Sequence, residues 1–222
     1  ISWPNPQSTA TNIQLSVTDQ ENTTVKATWS ITVSTSGFKF VQAGGSNGSG
    51  TLASPYNSIA NMAAGANSTD IIYFRSGSYN VGTAGWVSYP VQWIAYPGES
   101  PIIDMNDREL ATPGNALVYF DGFVFDNMDY TGGVGYSGLT IGCSNYNTIR
   151  RNEFKNFSNT TNENNNYGML KAMCVDTQYY NNVIQDNKLH DFSGGNAIGS
   201  LYHQSKMLIE NNHIYNALRQ GS

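Results

Sequence analysis

Three stretches of this 222-residue chain carry one alternation of apolar and polar positions: Thr148-Ile149-Arg150-Arg151-Asn152-Glu153-Phe154-Lys155-Asn156-Phe157, Val183-Ile184-Gln185-Asp186-Asn187-Lys188-Leu189-His190-Asp191-Phe192 and Leu208-Ile209-Glu210-Asn211-Asn212-His213-Ile214-Tyr215-Asn216-Ala217. Aligned on Asn152, Asn187 and Asn212, each has an apolar residue three before and two after the Asn, and polar residues one and three after it. The separations, 187 − 152 = 35 and 212 − 187 = 25, fall within the roughly 20 to 50 residues of solenoid repeats. Stacked copies bury an apolar column that no single copy can bury alone. The expected fold class is therefore all-β, a right-handed parallel β-helix with one copy per coil. Asn152, Asn187 and Asn212 should stack as a structural ladder of amide hydrogen bonds. Residues 118–125 read as an earlier copy, and the spacing 152 − 122 = 30 places Gly122 in the ladder position, because Gly and Asn best tolerate a left-handed backbone.

Ahead of the repeats, Ile13-Gln14-Leu15-Ser16-Val17-Thr18-Asp19 alternates, Gln20-Glu21-Asn22 is a turn, and Val25-Lys26-Ala27-Thr28-Trp29-Ser30-Ile31-Thr32-Val33 alternates again. That pattern predicts a β-hairpin, joined by a short Ser34-Thr35-Ser36-Gly37 linker to the rest of the chain. The domain division is 1–36 for the hairpin module and 37–222 for the β-helix. Phe38 to Val41 reads as a strand and Gly44 to Thr51 as a loop. Ser54-Pro55 reads as an N-cap with Pro at the first helical position. Tyr56, Ile59, Ala60 and Ala63 then share a helical face that Gly65 ends. A strand over Asp70 to Arg75 closes at Gly77-Ser78-Tyr79, and further coils are read at 91–96, turning into 101–104.

The hairpin resembles the last two strands of bacterial immunoglobulin-like or cadherin-like modules, which often finish in a phrase like Trp29-Ser30-Ile31-Thr32-Val33. The glycine-rich loop, Ser-Pro helix, apolar strand and Gly-x-Tyr resemble the entry segment of the pectate-lyase-like right-handed β-helix superfamily, over about residues 38–222. Gln42 departs from the Asp that many relatives carry in the opening phrase. The resemblance implies a helix plugging the N-terminal end of the coil. For enzyme members it implies a Lys or Arg base with carboxylates holding Ca²⁺, or groups of Asp. No cofactor is expected here, Ca²⁺ being the one ion the resemblance allows.

Composition narrows the partners. Charged residues make up 12%, against a usual share of about 25%, and uncharged polar side chains with 14 Tyr take their place. That surface suits an extracellular or cell-surface protein. A net charge of −5 with scattered Lys and Arg argues against nucleic acid, which needs clustered cations. No apolar run reaches the roughly 18 residues of a membrane span, so no membrane insertion is expected. Arg150-Arg151 are assigned Asp186 and Glu210 of neighbouring coils as partners. Cys143 and Cys174 are too few for a disulfide scaffold and are read as stacked thiols in preference to a bridge. The chain opens at Ile1 without a leader pattern and stops at Gly221-Ser222 just after a coil; the expectation is a mature or excised piece, with further coils or another chain docking on the last rung.

Outward positions of successive coils stack about 4.8 Å apart, which defines two columns: Glu153, Lys188, His213 and Lys155, His190, Tyr215. The first reads as a cross-strand ion-pair ladder or a binding strip. The second offers the Tyr215 ring to a pyranose, and Lys155 and His190 to carboxylates of an acidic polysaccharide, with the Asn-rich loop 158–166 as one wall. Asp176, Asp186 and Asp191 fall at different positions of one coil, and Lys171 stands among apolar neighbours without the acids a Ca²⁺ site needs. Asp121, Asp126 and Asp129 with Glu153 form a weak carboxylate candidate, Asp121-Gly122 being more economically a turn. Trp3, Trp29, Trp86 and Trp93 are candidate sugar platforms, Trp29 reading as core and Trp86 as surface. No metal site and no lyase or hydrolase set is found, which leaves enzyme status open. The favoured function is a noncatalytic extracellular module that binds polysaccharide or builds an adhesive assembly. The alternatives are the front part of a polysaccharide lyase or phage depolymerase acting on acidic glycans, and a structural rod in an extracellular filament.

Overall fold

The computed structural model describes residues 10–18, 20, 24–31, 37–82, 92–112, 117–129, 137–142, 145–159, 168–173, 179–201 and 204–218. The chain divides into two compact units, Ile1–Gly37 and Phe38–Ser222. In the first, strands β1 (Ala10–Thr18) and β2 (Thr24–Ile31) pair antiparallel, with Ile13 opposite Trp29, Leu15 opposite Ala27 and Val17 opposite Val25. Alternate residues of β1 and β2 thus meet across the pair, as the period-two pattern requires.

The second unit opens with β3 (Phe38–Val41), helix α1 (Ile59–Gly65), β4 (Ile71–Phe74) and β5 (Ser78–Asn80). Next come β6 (Gln92–Ala95), β7 (Ile102–Asp104) and β8 (Leu110–Ala111), then β9 (Tyr119–Asp121), β10 (Val124–Asp126), β11 (Met128–Asp129) and β12 (Leu139–Ile141). A further turn supplies β13 (Thr148–Arg150), β14 (Glu153–Ser158), β15 (Gly168–Met173) and β16 (Tyr179–Tyr180). It is followed by β17 (Val183–Gln185), β18 (Lys188–Ser193), β19 (Asn196–Leu201) and β20 (Gln204–Ser205), and finally by β21 (Leu208–Glu210) and β22 (His213–Leu218). Every pairing in this unit's sheets is parallel and joins strands one repeat apart. A first sheet runs β3-β4-β6-β9-β13-β17-β21, a second β5-β7-β10-β14-β18-β22 with β11 also on β14, a third β8-β12-β15-β19, and β16 pairs β20. The unit is all-β apart from α1, and its stacked parallel sheets are compatible with a parallel β-helix.

Because the pairing is in register, like stacks on like. Ile72, Trp93, Phe120, Ile149 and Ile184 form one fully buried column, and Ile103, Phe125, Phe154 and Leu189 another. The third sheet contributes Leu110, Leu139 and Leu170. Each such side chain stabilises the fold by about 1.5 to 3 kcal/mol. Phe125 and Phe154 lie parallel, with centroids 4.7 Å apart. Trp93 belongs to this core, packed against Phe74 and Phe120, and is not a sugar platform. On the last rung Ile209 and Ile214, aligned with buried Ile184 and Leu189, are 51% and 47% exposed.

The entry helix differs from the sequence expectation. Ser54 and Pro55 do not cap it; Tyr56 instead bonds to β3, its N–H to the Phe40 carbonyl at 2.9 Å and its carbonyl accepting from Gln42 N–H at 2.8 Å. This pairing holds the segment extended, so the helix starts later. Its N-cap is Ser58, whose hydroxyl accepts from Asn61 N–H at 3.1 Å. Ile59 and Met62 join the core, whereas Ala60 is exposed. Close approach explains Gly65 and Gly50, where any Cβ would run into the Tyr56 ring.

The coil corners hold two ladders. Asn187 Oδ1 accepts from the Asn152 backbone N–H at 3.0 Å, and Asn212 Oδ1 from that of Asn187 at 3.0 Å. Each side-chain amide also donates to a carbonyl of the preceding coil: Asn152 to Phe120, Asn187 to Ile149 and Asn212 to Ile184. Gly122 is not a member. The register Val124–Glu153 sets Phe123 in the ladder position, and Phe123 N–H donates to Asn152 Oδ1. Gly122 aligns instead with Arg151, Asp186 and Asn211, all of them left-handed, so the turn residue and the ladder residue are neighbours and not one position. The second ladder lies five residues earlier: Val118 N–H donates to Asn147 Oδ1 and Asn147 N–H to Asn182 Oδ1, both at 3.0 Å.

Candidate functional site

The predicted columns exist as neighbours. Glu153 pairs with Lys188 and Lys188 with His213; Lys155 pairs with His190 and His190 with Tyr215. The contacts correct their chemistry, because the ion pairs do not join Glu153 to Lys188: one runs along the Lys155 column, one lies within a strand and one crosses between the columns. Lys155 Nζ lies 3.4 Å from Asp126 Oδ2 and 4.0 Å from Glu153 Oε1, while His190 Nε2 lies 3.2 Å from Glu153 Oε1. Lys188 has no ion-pair partner among the described residues. His190 lies on the outer face, one residue after the core residue Leu189, but is covered there: it is 8% exposed, with Nδ1 2.7 Å from Asp191 Oδ2 and its ring parallel to Tyr215 at 4.6 Å. Lys155 and His190 therefore engage the protein's own carboxylates. His213 and Tyr215 are left as the open aromatic edge, 4.6 Å apart.

Beside this column the strands kink at Asn127, Asn156, Asp191 and Asn216, each left-handed. Asn127 donates to Asp104, Asn156 to Asp126 and Asn216 to Asp191, at 2.7 to 3.0 Å. The Asn216 hydrogen bond, helped by His190, holds the Asp191 carboxyl below the usual carboxylate range. The Asp candidates do not converge: Asp126 leads the Lys155 column, Asp129 pairs with Ser158, and Asp186 sits at the left-handed corner.

Asp121 belongs to the first sheet and is a charge anchor. Arg151 approaches both of its oxygens, at 2.7 and 2.6 Å, and Arg150 approaches Oδ2 at 3.0 Å. Burial by itself would raise the Asp121 carboxyl, but the Arg151 hydrogen bond and the Arg150 charge outweigh it and hold it low. The expected pairing of these arginines with Asp186 and Glu210 is thus replaced by the preceding coil, and Glu210 accepts from Gln185 Nε2 at 2.7 Å instead. On the same sheet Phe38, Phe40, Tyr73 and Tyr96 pack ring on ring, and Arg75 sits 4.5 Å over Tyr96. Only Phe40 and Tyr73 stack face to face; Tyr96 meets Tyr73 edge-on, and all four rings stay partly exposed.

One constellation escaped sequence reasoning. In the third sheet Thr140 pairs with Lys171, and Thr140 Oγ1 donates to Glu109 Oε1. Lys171 is 7% exposed. Burial holds its amine below the ordinary lysine value, with the Glu109 charge opposing. Burial likewise pushes the Glu109 carboxyl up, with the Thr140 hydrogen bond and the Lys171 charge opposing. Buried, perturbed groups of opposite charge occur both in structural ion pairs and at catalytic sites. Among the described residues no three His, Cys, Asp or Glu side chains converge on a metal position.

Cys143, Cys174, Asp176, Trp3, Trp86 and loop residues 160–166 lie outside the described residues, as does the Trp29 side chain. No helix of the described residues is long and apolar enough to cross a membrane. Comparison with known proteins finds no matching family model, curated protein or solved structure.

Proposed function

We propose that residues 38–222 form a right-handed parallel β-helix of the pectate-lyase-like kind, and that this extracellular or cell-surface module binds polysaccharide along the outer face of the second sheet. One observation carries the reading: Glu153, Lys188 and His213 beside Lys155, His190 and Tyr215 repeat in register from coil to coil, giving a polar strip with an aromatic edge that an extended polymer can follow. Since Lys155 and His190 are engaged by Asp126, Glu153 and Asp191, the strip favours neutral or amine-bearing glycans over uronates. The test is affinity electrophoresis against neutral, cationic and anionic polysaccharides. Binding that weakens in Tyr215→Ala and His213→Ala, with melting temperature retained, supports the reading; unchanged binding in both removes it.

The Glu109–Thr140–Lys171 cluster favours a second reading, action on an acidic glycan. In that reading Lys171 is the base that takes a proton from the substrate and Glu109 sets the local charge. Release of unsaturated ends from alginate, pectate or chondroitin, lost in Lys171→Met, would establish it; no release from any of the three argues against it.

A further inference from the structure

Along the kinked edge of the second sheet lies a depression of about 260 Å³. Phe157 and Phe192 are among its lining residues, 1% and 7% exposed, and Ser158, Ser193, Asp129 and Asp191 line it with them. It runs over four successive coils, from Asp129 to Leu218, or about 14 Å at 4.8 Å per step. We infer that this depression is a subsite for a hexosamine carrying a free ammonium group, an inference that rests on the glycan-binding reading of the adjoining strip.

The shape supplies the sugar part. Leu218, 68% exposed, with the edge of Phe192 beside it, gives an apolar wall for the C–H face of a pyranose, and two serine hydroxyls and the Asn156 amide at the rim match its hydroxyl groups. The charge supplies the ammonium. The lining contains two carboxylates and no Lys, Arg or His. The Asp129 carboxylate has no hydrogen-bond or ion-pair partner among the described residues, and its backbone N–H donates to Asp107 Oδ1 at 3.0 Å, which brings a third acid to that end. The nearby cations are already taken, Lys155 by Asp126 and Glu153 and His190 by Glu153 and Asp191. A uronate here would set its carboxylate against these acids with no free cation among the described residues of the lining to answer it. An ammonium group gains a charge-assisted hydrogen bond at Asp129.

The full chain is titrated calorimetrically with tri-glucosamine, tri-N-acetylglucosamine and tri-galacturonate at a pH that keeps the glucosamine amine protonated. The expected result is at least about tenfold tighter binding of tri-glucosamine than of its acetylated form. Asp129→Asn should remove that preference while leaving the melting temperature unchanged, since its carboxylate holds nothing among the described residues. Equal affinity for the two glucosamine oligomers, or tighter binding of tri-galacturonate, overturns the ammonium inference. If that binding still falls in Tyr215→Ala, the polysaccharide strip itself survives. Binding of none of the three overturns the subsite.

Discussion

Asn187 Oδ1 accepts two hydrogen bonds from Asn152, one from the backbone N–H at 3.0 Å and one from the side-chain amide at 3.2 Å. A single side chain thereby satisfies a buried corner thirty-five residues earlier, where water does not reach. Removing it leaves donors stranded above and a carbonyl stranded at Ile149.

Asn187→Ala should accordingly cost about 1 to 3 kcal/mol, the penalty of unsatisfied buried groups. Asn147→Ala, which strands Val118 N–H, should cost a similar amount. Exposed Lys188→Ala should leave stability nearly unchanged. Urea midpoints of the three variants check the ordering.

Asp121→Asn should lower stability at neutral pH by about 1 to 2 kcal/mol, less than a fully buried pair because both arginines keep contact with water. The native Asp121 carboxyl is held low, so its contribution is present above the ordinary carboxylate pKa, around 4, and is lost as pH falls through the lower native value. The variant should therefore show a shallower acid limb in stability measured against pH.

The Lys171 amine should titrate below ordinary lysine, and in Glu109→Gln it should fall further, because the Glu109 charge is what opposes desolvation. Carbon and nitrogen chemical shifts of the labelled side chain report this directly. A rise in the variant would mean that Glu109 does not reach Lys171.

His190 faces a carboxylate from each ring nitrogen, Asp191 at Nδ1 and Glu153 at Nε2. His190→Gln should destabilise by about 1 to 3 kcal/mol and loosen Tyr215, read as a lower melting temperature and changed tyrosine fluorescence. Lys188→Gln, in the next column, should change neither.

The sequence discloses the stacked parallel strands because its signals are local and repeated. The Asn column, the apolar residues three before and two after it, and the strand neighbours of Glu153 and Lys155 all come from one alignment. Even the second ladder had a signal, since 182 − 147 = 35 repeats the spacing of Asn152 and Asn187. Gly122 was set one place off because a left-handed turn residue and an amide-bearing residue stand side by side, and both types tolerate similar backbones. The helix start was misplaced because Ser54 and Ser58 are equal as caps; the choice falls to the Tyr56 pairing with β3, a tertiary contact. Glu109 and Lys171, 171 − 109 = 62 residues apart, could not be joined beforehand, because the lengths of the loops between corners set which side chains meet. The burial of His190 likewise depends on Tyr215 from the next coil.

The two ladders also set where this architecture tolerates change in length. Val118 and Phe123, Asn147 and Asn152, Asn182 and Asn187, and Met207 and Asn212 are each five residues apart, whereas the distance from one corner to the next varies between 25 and 35. The five-residue bracket works as a gauge, spacing each rung against the one before. One residue inserted between Asn182 and Asn187 would flip the strand and turn Ile184 toward solvent. Segments outside the bracket, whose lengths differ from one repeat to the next, are therefore where foreign loops can be grafted without disturbing the stack.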